Sequence, residues 1–165
     1  MSLHSYVELS ENKIISYKEL KVKHIKIIYK CLLGDDIDNI LLFNNLNNIL
    51  KKLTKENVKD FSFIDFFILL IHIRCSSISD IITLQVSEDT TFDLNLNKVL
   101  EEIKKINLEN LLEPEHSDNI TLYYKIPSIL EIYKLNIKPE LSYDLFLKKI
   151  KIKGNEIVFE NEEQK

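Results

Sequence analysis

The sequence predicts an α+β fold in which a cluster of three helices comes first and β-hairpins with further short helices follow. Three observations support this prediction. Apolar residues recur at helical spacing through most of residues 22–76, the pattern changes to alternation near residue 81, and turn-forming residues separate the later runs. We expect a single compact domain over residues 1–165, with a mainly helical half at 1–80, a mixed hairpin and helix half at 81–165, and a frayed acidic tail at 160–165.

Two weakly alternating runs precede the first helix. The runs Tyr6–Leu9 and Ile14–Tyr17 flank a polar pair and could form a short hairpin. The first helix is predicted over Val22–Leu33, because apolar residues recur on one side and lysines lie on the other. Gly34 follows at the position of a helix C-cap.

Two further helices complete the predicted cluster. Asp35 or Asp36 is placed to cap a helix over Ile37–Leu53. The third helix, Ser62–Ser76, begins with its own N-cap serine, and Asp65 follows three residues later in a shortened capping-box pattern. Apolar residues cover most of the circumference of this third helix, so we expect it to be central.

The second half of the chain alternates strands with helices. The runs Ile81–Ser87 and Thr91–Leu96 alternate apolar and polar residues about Glu88-Asp89-Thr90, which predicts a hairpin. The remaining predicted elements are a helix at Asn97–Leu112, a strand at Ile120–Ile126, a helical turn at Ser128–Tyr133, a helix at Ser142–Ile150 and a last hairpin about Gly154-Asn155.

Composition and charge exclude several classes of partner. The formal net charge is -4 and the pI about 5.6, so we expect no broad surface for nucleic-acid phosphates. The longest uninterrupted apolar run, Phe66–Ile71, is far shorter than a bilayer span, so we expect no membrane contact. We also expect no signal peptide, because the first ten residues contain no apolar core segment. Cys31 and Cys75 lie in apolar helical patterns, which favours buried free thiols in a reducing cytoplasm, although sequence alone leaves a disulfide open.

The sequence carries no recognisable catalytic or metal-binding motif. The four histidines are widely separated, and none has a second ligand at metal-binding spacing. His72, on the apolar third helix, is interpreted as a core histidine. We therefore expect no enzymatic activity, no cofactor, no metal and no small-molecule substrate.

Arg74 is the residue of the third helix that an ordinary core helix does not need. It stands at the end of the apolar run, just before Ser76, Ser77 and Ser79. Three interpretations remain open. The side chain complements the helix dipole and extends to solvent, or it pairs with Asp65 or a more distant acid and fixes the corner after the helix, or it contacts a partner chain.

Three stretches of the chain resemble the T4-type phage base-plate protein family, the hub or hub-assembly subunits of contractile-tailed phages. They are residues 16–35, 56–86 and 120–128, which together cover about half of the chain. In the middle stretch, ENVKDFSFIDFFILLIHIRCSSISDIITLQV, Asp65 holds the acid position of the family signature, Arg74 the arginine and Ser77 the serine.

The resemblance implies a non-enzymatic tail protein that acts in baseplate hub assembly or structure by docking onto other tail proteins. It implies the host cytoplasm as the location during assembly and the virion tail baseplate as a second location. Asp65, Arg74 and Ser77 are the expected structural or interface residues. Many relatives carry a zinc-knuckle cysteine pair in the following hairpin, whereas this chain has Ser87-Glu88-Asp89-Thr90, so no zinc is expected. The alternative hypothesis is a small intracellular adaptor or regulatory module of a mobile element, unrelated to tails.

Overall fold

The structure is a computed structural model that describes residues 5–32, 39–106, 108, 112–137 and 146–158. The chain divides into two compact units, one in residues 1–105 and the other in residues 106–165. The arrangement predicted from sequence, a single domain with halves that meet at residue 80, remains a prediction.

The first unit begins with a β-hairpin. Strand β1 (Ser5–Glu8) pairs antiparallel with β2 (Ile14–Tyr17), and a 3₁₀ turn (Ser10–Asn12) lies between them. Alternation places Val7, Ile15 and Tyr17 on one buried face. The α+β class is confirmed, but the prediction that a three-helix cluster comes first is wrong. The short alternating runs bury enough apolar surface against the helices to form strands.

Three helices follow the hairpin: α1 (Val22–Leu32), α2 (Asn39–Thr54) and α3 (Phe63–Ser77). Helix α1 packs against α2, while α2 contacts β2 and α3 contacts β1. The apolar stripe of α2 is buried near its end through Ile49, Leu50 and Leu53. The predicted caps at Gly34, Asp35 and Asp36 lie outside the described residues.

A second hairpin and a fourth helix complete the first unit. Strand β3 (Ile81–Ser87) pairs antiparallel with β4 (Thr90–Asn95), with a bulge between Gln85 and Ser87. Helix α4 (Leu96–Lys105) packs against α3 through a face that includes buried Leu96 and Leu100. Part of the helix predicted to continue to Leu112 lies outside the described residues.

The second unit is built on a four-stranded antiparallel sheet. Its strands β5 (Glu115–Ser117), β6 (Ile120–Tyr124), β7 (Leu147–Ile152) and β8 (Asn155–Val158) are neighbours in chain order. Helix α5 (Ile129–Ile137) lies between β6 and β7 in the chain. The prediction of a helix at Ser142–Ile150 is wrong over its described part. From Leu147 onward the backbone pairs with β6 and β8, because alternation in Leu147–Ile152 matches a strand between two partners.

Candidate functional site

Helix α3 is apolar around nearly its whole circumference and is buried on more than one side. Phe66, Leu69 and Ile73 form one buried stripe, and Ile68 is buried on another side of the helix. The helix begins as the sequence predicts, since the backbone N–H of Asp65 donates to the hydroxyl oxygen of Ser62 at 3.1 Å.

The chain between β1 and α1 runs parallel to α3 and is fastened to it at three points. Ser10 binds Asp65 near the start of the helix, the Tyr17 hydroxyl donates to the His72 carbonyl at 3.3 Å, and the Leu20 N–H donates to the Ser77 hydroxyl at 2.9 Å. The partners are 55, 55 and 57 residues apart, so both segments advance in the same direction. We call residues 10–20 the lead-in segment.

Asp65 and Ser77 therefore both bind the lead-in segment, one near each end of its contact with α3. The Asp65 carboxylate accepts from the backbone N–H of Ser10 at 2.8 Å and from its hydroxyl at 2.7 Å. The structure does not bring Asp65 to Arg74, because nine helical residues separate their backbones by about 13 Å along the axis. The pairing of Arg74 with Asp65, one form of the second interpretation, is absent from the structure.

Arg74 spans the corner between α3 and β3. Its Nη2 donates to the Ile81 carbonyl at 3.3 Å, while its own carbonyl accepts the backbone N–H of Ile78 at 2.9 Å. The far side of the corner is held by Asp80, whose carbonyl accepts from the Leu96 N–H at 2.7 Å. The base of the β3–β4 hairpin is thereby tied to both flanking helices.

One face of α3 remains uncovered. The side chains of Phe63 and Phe67 are 37% and 43% exposed, and their rings meet edge to face with centroids 4.7 Å apart. At about 100° per residue, Arg74 lies about 20° around the helix from Phe63. We call these three residues, with the half-exposed Leu70 and Ile71 beside them, the outer face of α3.

Burial favours the uncharged forms of two titratable groups on α3, His72 and Cys75. Burial, with a smaller effect of Lys104, lowers the pKa of the half-buried His72 imidazole. Burial, reinforced by Asp80, raises the pKa of the free Cys75 thiol. Both shifts favour uncharged side chains, which suit packing inside the protein. An activated cysteine nucleophile would need the opposite shift, a lowered thiol pKa.

The described residues contain no group of three His, Cys, Asp or Glu side chains that could hold a metal ion. Within the same part of the chain, none of the helices combines the length and the hydrophobicity that crossing a membrane requires. The outer face of α3 combines clustered aromatic rings with one arginine, a composition typical of surfaces that contact another protein.

Sequence reasoning identified Asp65, Arg74 and Ser77 but not the residues that meet them. Ser10, Tyr17 and Leu20 follow no spacing rule relative to α3, because their contacts are set by tertiary packing across more than fifty residues. A usable signal for the outer face did exist. A helix that is apolar all round must either be enclosed on every side or leave an apolar face for another molecule.

Comparison with known proteins gives one match. The model of a family described as T4 bacteriophage base plate protein matches residues 1–165, the whole chain. No curated protein and no solved structure matches the chain significantly.

Proposed function

The chain belongs to the family of T4 bacteriophage base plate proteins, and on that premise we propose that it acts in baseplate hub assembly or structure by docking onto other tail proteins through the outer face of α3. Family membership makes it a phage baseplate structural protein that interacts with tail proteins, and it argues against the alternative of a mobile-element module unrelated to tails. The observation that supports the docking role is the partly exposed Phe63–Phe67 ring pair on a helix whose other apolar residues are buried or partly buried.

The energetics of this face favour protein contact. About 40% of a phenylalanine surface near 200 Å² is roughly 80 Å², so covering each ring contributes about 2 kcal/mol. Arg74 can fix the orientation of a bound partner, because its guanidinium has further N–H donors besides the one that bonds to the Ile81 carbonyl. A partner with an apolar groove and a carboxylate or carbonyl group at one end fits these features.

Asp65 and Ser77 support the docking face indirectly in this proposal. They fasten the lead-in segment along α3 and so hold the helix between the hairpin β1–β2 and α4. Arg74 acts twice, since it closes the corner with Ile81 and presents its remaining donors at the end of the face. Docking of this kind requires no catalysis, cofactor or small molecule, and it takes place in the host cytoplasm as the tail is built.

Copurification from phage-infected cells tests the docking role. Tagged wild-type protein should retain tail proteins, identified by mass spectrometry, whereas Phe67→Ser and Arg74→Ala should each reduce their recovery several-fold. Phe146→Ser is the matched control, because Phe146 is a comparably exposed phenylalanine in the second unit. Thermal melts confirm that each variant is folded. Equal recovery of tail proteins by Phe67→Ser and wild type would contradict the proposed docking role of the outer face of α3.

A further inference from the structure

The hairpin β3–β4 has an apolar face that is largely exposed. Its register places Ile82 opposite Leu94 and Leu84 opposite Phe92, so these four side chains share one face. Leu84 is 46% exposed and Phe92 is 55% exposed. The opposite face carries Ile81 near the base of the hairpin and is otherwise polar, and there the Thr83 hydroxyl donates to the Asp93 carboxylate at 2.6 Å. A two-stranded hairpin with an uncovered apolar face is marginal in water on its own.

The same hairpin is uniformly acidic. Residues 75–97 contain four acidic side chains and no lysine or arginine. These acids are distributed along the hairpin from its base to its turn: Asp80, Glu88, Asp89 and Asp93. Asp93 lies on the polar face and Asp80 is bonded by Asn97, so a surface that covers the apolar face must be apolar at its centre and basic where it meets Glu88 and Asp89 of the turn.

Helix α1 presents a surface of that kind. Its outward side carries exposed Val22 and Tyr29 together with three exposed lysines, Lys23, Lys26 and Lys30. The helix contains no acidic residue. Its opposite side carries the buried His24, so the lysines and the two exposed apolar residues face away from α2.

We propose that two copies of this chain associate through the β3–β4 hairpin of one copy and the outward side of α1 of the other. The apolar face of the hairpin covers Val22 and Tyr29, while the turn acids Glu88 and Asp89 lie among the lysines of the helix. The lengths are compatible, since α1 measures about 16 Å and β3 about 23 Å. This contact involves none of the residues of the outer face of α3, so it is independent of the proposed docking role.

The size of the contact predicts its strength. One hairpin laid on one three-turn helix covers less than the roughly 800 Å² per partner of a standard stable interface. The association is therefore weak, and its dependence on opposite charges makes it sensitive to salt, because the screening length falls well below about 10 Å above 0.1 M salt.

Sedimentation equilibrium of the full chain tests the proposal. Wild-type protein should show concentration-dependent association at about 0.05 M salt and at least a tenfold weaker one at about 0.5 M salt. The hairpin variant Glu88→Lys/Asp89→Lys and the helix variant Lys26→Glu/Lys30→Glu should each associate at least tenfold more weakly than wild type. An equimolar mixture of the two variants should regain association, since the native hairpin of one variant meets the native helix of the other and the two exchanged surfaces are also complementary.

Three results would overturn the proposal: monomeric wild-type protein over the whole range, association unchanged in both variants, or no recovery on mixing. If the wild-type protein is monomeric, a different partner protein would have to cover the apolar face of the hairpin. All substituted positions are exposed, so thermal melts should match wild type. If the helix variant does not fold, Leu84→Ser in the hairpin and the salt dependence decide the question, and a wild-type affinity for Leu84→Ser counts against the contact.

Discussion

The carboxylate of Asp65, in the first turn of α3, accepts both the backbone N–H and the hydroxyl of Ser10, 55 residues earlier in the chain. Both bonds are partly buried, and a carboxylate acceptor makes them stronger than bonds between neutral groups. The bonds join the turn of the first hairpin to the start of the central helix. Without Asp65, the Ser10 N–H would lose its partner at a partly buried site.

We expect Asp65→Ala to lower the free energy of unfolding by about 2–3 kcal/mol and Ser10→Ala by about 1 kcal/mol. The difference arises because Ser10→Ala keeps the backbone bond to the carboxylate. Urea denaturation of both single variants and the double variant measures the coupling. Asp60→Ala is the control: its carboxylate accepts a bond from Asn57 at an exposed site, so we expect a loss below about 0.5 kcal/mol. Additive losses from Asp65 and Ser10 would contradict the pairing.

The other end of the lead-in segment offers a test with adjacent serines. Ser77→Ala should lower stability by about 1–2 kcal/mol, because the partly buried Leu20 N–H loses its acceptor. Ser76→Ala should change stability by less than about 0.5 kcal/mol, since Ser76 is an exposed residue whose hydroxyl donates to the Ile73 carbonyl of its own helix. Denaturation midpoints of the two variants make the comparison, and equal midpoints would show that Ser77 does not fasten the lead-in segment.

The second unit contains a carboxylate whose ionisation stabilises it. Burial alone would raise the pKa of Glu131, but hydrogen bonds from Lys125 and the Ser128 N–H outweigh that effect and lower the pKa below its usual 4.5. A lowered pKa in the folded state means that the stabilisation is fully present above about pH 4.5 and is lost as the pH falls through the folded-state pKa.

Wild type should therefore be more stable than Glu131→Gln at neutral pH, and this advantage should shrink progressively below about pH 4.5. Thermal melts at a series of pH values measure the difference. Glu156→Gln serves as the control, because Glu156 pairs with Lys149 at a more exposed site and should show a smaller difference at neutral pH. A constant difference between wild type and Glu131→Gln across the acid range would contradict the assignment.

The turn between β7 and β8 depends on left-handed backbone at two consecutive residues. Lys153 has φ 47° and Gly154 has φ 89°, as a two-residue hairpin turn of this type requires. Gly154→Ala should cost about 1–2 kcal/mol through backbone strain alone, because an added Cβ meets no atom within 4 Å. Lys153→Gly should have a neutral or slightly stabilising effect. Differential scanning calorimetry distinguishes the two, and a harmless Gly154→Ala would refute the strain argument.

Local sequence patterns predicted the elements that depend on local interactions. The cap of α3 at Ser62, the β3–β4 hairpin and the last hairpin about residue 154 all follow from capping, alternation and turn chemistry. The predictions were incomplete or wrong where residues far away in the sequence determine the local structure. The helix predicted at Ser142–Ile150 has a strand, β7, in its place from Leu147 onward because β6 lies alongside it. The first hairpin was expected from its alternating runs, but its attachment to α3 was not, because Asp65 and Ser77 bind residues more than fifty positions earlier in the chain.

In the candidate site, too, features set by the local sequence were predictable and features set by tertiary packing were not. Arg74 drew attention because a charged residue at the end of an apolar helix needs an explanation, and its bond to Ile81 spans only seven residues. The all-round apolar helix indicated that one face could stay open, but not that Phe63 and Phe67 lie on it, because periodicity does not reveal which sides of such a helix its neighbours cover.

Site-specific photo-crosslinking in phage-infected cells tests most directly whether the outer face of α3 docks onto tail proteins. A photoreactive phenylalanine analogue replaces Phe67 in one variant and the comparably exposed Phe146 in another, and mass spectrometry identifies the cross-linked peptides. The account predicts that position 67 gives cross-links to a defined surface of another tail protein and that position 146 does not cross-link to that surface. An absence of tail-protein peptides at position 67, in infected cells that assemble complete tails, would contradict the account.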